Sequence, residues 1–176
     1  FPGSTTEALL KYILKKVGVD PNSVTMHPIA QPQQINALIA GSIDALFALE
    51  PTPTVAEVQG VGHKVESADV YFPIPRYNVL YAVLKSYYRN NKDVIERIEK
   101  AQDKAVDYIR QNPDDARRVL TKYTPYDENI VLKVDPGYAF RSDEKIDLAK
   151  VQEYADILFG EGALKSRVDT SKLFGE

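Results

Sequence analysis

The chain has 176 residues, 22 Lys and Arg against 25 Asp and Glu, and no cysteine. Its net charge of −3 offers no footprint for nucleic acid or an anionic membrane, and no apolar run approaches the roughly eighteen residues that span a bilayer. Without cysteine there are no disulfides, thiolate nucleophiles or zinc–thiolate sites.

The first segment opens on Pro2-Gly3-Ser4-Thr5-Thr6-Glu7, followed by Leu9, Leu10, Ile13, Leu14 and Val17 at the spacing of one helix face. Ser or Thr at the N-cap with a glutamate soon after is a helix start. The same hydroxyls, beside unpaired N–H groups at the positive end of a helix, also suit an anion. Gly18 stands where the helix should end, and Asp20-Pro21-Asn22-Ser23 predicts a turn.

Val24–Ile29, broken by Pro28, predicts a short strand. Gln31-Pro32 starts a second helix with Ile35, Leu38 and Ile39 inward, ended by Gly41. Ile43–Leu49 is a nearly unbroken apolar run, as expected of a buried parallel strand. Glu50-Pro51 closes it, and Thr52-Pro53 begins a third helix with Val55 and Val58. Helix and strand alternating through short links is the rhythm of a parallel sheet.

Tyr77–Leu84 predicts another strand, and the remainder reads as mostly helical. Lys92–Gln111 places Val94, Ile98, Ala101, Ala105 and Tyr108 on one stripe. Asn112-Pro113-Asp114-Asp115 is an N-cap, a proline at the first helical position and two acids in the first turn. A last helix is expected over Asp147–Gly160. Charge separates along the chain: residues 1–75 hold 4 basic and 7 acidic side chains, while 76–176 hold 18 of each. His27 and His63 lie in separate segments without ligand spacing, so no metal or cofactor is implied.

Taken in order, several stretches resemble one family. They are Gly3-Ser4-Thr5-Thr6, Val24-Thr25, the run Gln34 to Ala45 with Leu38, Gly41 and Asp44, and then Glu50-Pro51. Tyr77-Asn78-Val79-Leu80, Asn112-Pro113-Asp114, Ile146-Asp147-Leu148, Gly162-Ala163-Leu164 and Val168-Asp169 complete the set. The set resembles the type II periplasmic solute-binding proteins of nitrate, sulfonate, taurine and thiamine-pyrimidine ABC importers. That resemblance implies an α/β fold of two lobes with ligand gripped between them. Residues 1–75 would be lobe 2, and residues 76–176 a return crossing strand with C-terminal helices associated with lobe 1. Most of lobe 1 and any signal peptide would lie upstream of Phe1.

The function so implied is the substrate-binding component of an ABC importer, without catalysis, capturing a small anionic or heteroaromatic solute. Its partners would be that solute and the membrane permease, and its place periplasmic or extracellular, with a lipid anchor as a further option. Ser4, Thr5, Thr6, Gln31, Glu50, Tyr77 and Asn78 would be the ligand contacts, with holding a crossing segment as the alternative for Glu50 and an ordinary capping or packing role for the others. An exposed sheet edge is expected to make the chain self-associate. The alternatives are a ligand-sensing effector domain of a regulator, or an enzyme on the same scaffold with Glu50 as its base. The lack of cysteine argues against the synthase chemistry of the pyrimidine branch.

Overall fold

The computed structural model describes residues 2–71, 81–135 and 141–173. Among these residues it contains eight α-helices, joined by loops and short 3-10 turns, and no β-strand. The helices are α1 (Thr5–Lys16), α2 (Gln31–Ile39), α3 (Thr52–Val58), α4 (Lys85–Asn90), α5 (Lys92–Gln111), α6 (Pro113–Val119), α7 (Glu128–Val131) and α8 (Leu148–Gly160).

The expected α/β architecture is therefore overturned. Residues 24–29 and 43–49 run without regular secondary structure, as does the described part, 81–84, of the third expected strand. A strand exists only through its neighbour, because its N–H and C=O groups are satisfied across a ladder. No backbone hydrogen bond joins 24–29 to 43–49 among the described residues. Pro28 removes a donor from the first run. The second is only half-buried, and Leu49 at its end is 71 % exposed. An apolar run of this length is equally compatible with irregular chain lying over a small core. With no sheet among the described residues, the type II binding-protein fold, its two sheet-built lobes and the self-association through a sheet edge all fall.

The helices follow their local signals. Ser4 caps α1 by accepting from the Glu7 N–H at 3.2 Å, and Asp147 caps α8 by accepting from the Ala149 and Lys150 N–H groups. Proline stands in the first turn of α2, α3 and α6. α1, α2, α3 and α8 end alike, in paired reverse bonds such as Gly60 N–H to Glu57 O and Val61 N–H to Ala56 O, both 3.0 Å. This ending needs a left-handed residue just past the helix, and Gly60 supplies it at φ 67°.

The chain divides into two compact units, Phe1–Pro75 with Asp147–Gly175, and Arg76–Ile146 with Glu176. In the first, α1 packs on α8 and α2 on α3. Its buried side chains include Ala8, Thr52, Thr54, Val55, Ala56, Ala155 and Thr170. Lys15 Nζ holds Glu161 at 2.7 Å across the ends of α1 and α8. Gln152 of α8 accepts from the Thr170 N–H and hydroxyl at 2.9 and 3.0 Å and donates to Val168 O at 2.9 Å, which ties down the tail.

In the second unit, α6 packs on α5 and α7 on α6, around Val106, Val131 and Val134. The buried residue of α5 is Val106, one position beyond Ala105 of the expected stripe, while Ile98 and Tyr108 are 49 % and 44 % exposed. One position is about 100° around a helix, so the inward face is turned relative to that stripe. A strap at 141–144 lies along α5: Arg141 pairs with Asp107, Ser142 N–H and Oγ donate to Asp103 at 2.7 and 2.8 Å, and Arg110 meets Glu144 at 2.7 Å. The Ser142 N–H and hydroxyl hold the Asp103 carboxyl below its ordinary pKa, and the Arg110 guanidinium does the same for Glu144.

Candidate functional site

The polar centre of the first unit forms where the chain leaves α3. Gly60 reverses the chain, and Gly62 then comes close against two helices. A Cβ on Gly62 would stand 3.3 Å from Leu38 Cδ2 of α2 and 3.7 Å from Ala56 Cβ of α3. That close approach brings Lys64 back over the first turn of α3. Its backbone N–H donates to Glu57 Oε1 at 3.0 Å, and its Nζ donates to Thr54 Oγ1 at 3.0 Å. The same ammonium pairs with Glu50 Oε1 at 2.9 Å and reaches Glu57 Oε2 at 3.6 Å.

Burial opposes the charge on Lys64, but the carboxylates of Glu50 and then Glu57 outweigh it and hold its pKa above the usual lysine value. The Lys64 backbone N–H, helped by the ammonium, holds the Glu57 carboxyl below the usual range. Two acceptors remain open. Glu50 Oε2 and Gln34 Oε1 are buried and have no hydrogen-bond partner among the described residues. Gln34 is held at its other end, where Nε2 donates to Ile29 O at 3.1 Å. A buried acceptor without a donor costs about 1–3 kcal/mol, so both oxygens favour any donor that reaches them.

Of the residues singled out in the sequence, Gln31 and Glu50 come to the start of α3. Gln31 opens α2 and its Nε2 lies 3.4 Å from Thr52 Oγ1. Ser4, Thr5 and Thr6 stand at the start of α1 instead. There the Ser4 hydroxyl is the cap, Glu7 Oε2 accepts from the Gly3 N–H at 2.6 Å, and Lys11 pairs with Glu7 at 2.7 Å. Thr5 and Thr6 are exposed. Tyr77 and Asn78 lie outside the described residues.

Lys64, which meets Glu50, and Thr54, which accepts from Lys64, were not singled out as contacts from the sequence. One signal pointed to Lys64: it is the single Lys or Arg between residues 17 and 75, a stretch with six acids. A separate, shallow depression of about 390 Å³ lies between Lys11, Lys15, Asp20 and Glu161. No cluster of metal-ligating side chains occurs among the described residues, and none of their helices is long and apolar enough to cross a membrane.

The sequence matches the NMT1/THI5-like family over residues 1–116. It is also 34 % identical over 112 residues to a protein of Brachyspira hyodysenteriae (strain ATCC 49526 / WA1), provisionally named an ABC transporter periplasmic binding protein. That match takes in 63 % of this chain and 32 % of the relative, so the aligned part spans about a third of the relative's length. No solved structure matches the chain. The resemblance to type II solute-binding proteins thus fails at the level of fold, since the described residues hold no sheet from which an interlobe cleft is built. Solute capture between two such lobes, and closure of them sensed by a permease, go with it. What stands is the family relation carried by two thirds of the sequence: the chain belongs to the NMT1/THI5-like family.

Proposed function

We propose that this chain is a non-catalytic binding module of transport-related origin, which recognises a small molecule through a hydrogen-bond donor placed against Glu50. The observation that carries this reading is the divided state of the Glu50 carboxylate. Lys64 holds Oε1 at 2.9 Å, while Oε2 is buried and has no partner among the described residues. Lys64 is the resident cation of the site, and its side chain is 38 % exposed. A ligand ammonium or guanidinium takes its place, satisfies Oε2, and leaves Lys64 to solvent. Binding rather than chemistry is favoured because the Lys64 charge compensates Glu50, the residue otherwise suited to act as a base. A periplasmic or extracellular setting is supported by the relative's name.

Titration calorimetry tests this with methylammonium, ethanolamine and methylguanidinium, against tetramethylammonium, which has the charge but no N–H. Saturable binding of the donor-bearing cations, absent for tetramethylammonium and lost in Glu50→Ala, is the expected result. The ligand should be recovered chemically unchanged. Equal heats for Glu50→Ala and the parent, or turnover of the ligand, would overturn the reading.

A further inference from the structure

The net charge of the chain conceals a local segregation. Residues 81–92 contain Lys85, Arg89 and Lys92 and no acid. Every residue from 81 to 90 is exposed, which makes this stretch, α4 and the four residues before it, stand out from its unit. Its apolar members are large: Tyr81 is 79 % exposed, Leu84 77 %, Val83 50 %, and Tyr87 and Tyr88 47 % and 41 %. Rings and charges are also coupled, since Lys92 Nζ lies 5.9 Å from the centroid of the Tyr88 ring.

We propose that the 81–92 segment is a docking surface for an anionic lipid bilayer. Its charge is complementary to a phosphate-bearing surface. Tyrosine has an apolar body and a polar tip, which suits the headgroup level, and Lys and Arg bury their stems while keeping their charges among the phosphates. A soluble partner would ask for a groove or a flat face, whereas an unbroken exposed run with basic and aromatic residues interleaved fits a surface that yields around it. The segment shares no residue with the Glu50–Lys64 cluster, so this inference stands or falls independently of the binding reading.

Co-sedimentation of the whole chain with phosphatidylglycerol-containing vesicles, and with phosphatidylcholine vesicles as the neutral control, provides the test. Binding to the anionic vesicles at low salt, released at high salt, is expected. The triple variant Lys85→Glu, Arg89→Glu, Lys92→Glu should lower the partition coefficient by at least about 100-fold, the loss of the three basic contributions alone, before the repulsion of the new carboxylates is added. A second variant, Tyr81→Ser, Leu84→Ser, Tyr88→Ser, should weaken binding at low salt while leaving its salt dependence unchanged. All six positions are exposed, so unchanged far-UV circular dichroism shows that the fold is kept. Failure to bind anionic vesicles, equal binding to neutral ones, or full binding by the charge-reversed variant would overturn the proposal. So would capture by soluble polyglutamate in the absence of any vesicle binding.

Discussion

Replacing Lys64 by alanine should destabilise the first unit by about 1–2 kcal/mol, and methylammonium should restore part of the loss. The substitution removes the cation from Glu50 Oε1 and Thr54 Oγ1 and leaves a carboxylate whose other oxygen is already buried without a partner. Breaking a fully buried pair costs about 3–5 kcal/mol. Here the two side chains are 38 % and 27 % exposed, and solvent screening brings the expectation down. Glu50→Gln in the Lys64→Ala background should recover much of the stability, because the charge left behind is gone. Tetramethylammonium should not rescue, since it brings no N–H. Thermal unfolding of the two variants with each cation checks this, and a Lys64→Ala protein as stable as the parent would remove the cluster from the account.

Val131→Ala should cost about 1.5–3 kcal/mol, centred on the second unit. Val131 is 1 % exposed and, with Val106 and Val134, is one of the few buried apolar side chains there. Losing two methyl groups forfeits their transfer from water and leaves a cavity that short helices fill only in part. Hydrogen exchange should quicken in α5, α6 and α7. A change within a few tenths of a kcal/mol would mean that this valine does not hold the unit together.

The helices were legible because their signals are local. The Ser4 and Asp147 caps and the Pro32, Pro53 and Pro113 starts act within one turn, and each helix begins where its cap stands. The strands were misread because Ile43–Leu49 carries no local mark of a strand beyond being apolar, and a strand depends on a neighbour that a sequence does not display. The inward face of α5 was misplaced for a related reason. Val94, Ile98, Ala101, Ala105 and Tyr108 form a valid stripe, but α6 and the strap settle on the side of Val106 and Asp103 instead.

The site was legible in halves. Glu50 announces itself beside Pro51 and Thr52, and Gln31 at the start of α2. Lys64 reaches Glu50 only because Gly60 and Gly62 fold the chain back against α2 and α3. Composition hinted at that return through a single basic residue among acids. Geometry supplied the rest.

The most direct test of the helical, sheet-free fold and of the Lys64 cluster is a nuclear Overhauser spectrum of the labelled chain with its backbone chemical shifts assigned. Contacts are expected between the Lys64 side chain and the methyl group of Thr54, whose Oγ1 lies 3.0 Å from Lys64 Nζ. No strand-like shifts and no cross-strand Hα contacts are expected within Val24–Ile29 or Ile43–Leu49. Contiguous strand shifts in those two runs, with Hα contacts joining them, would contradict that fold and restore a sheet at the centre of the protein.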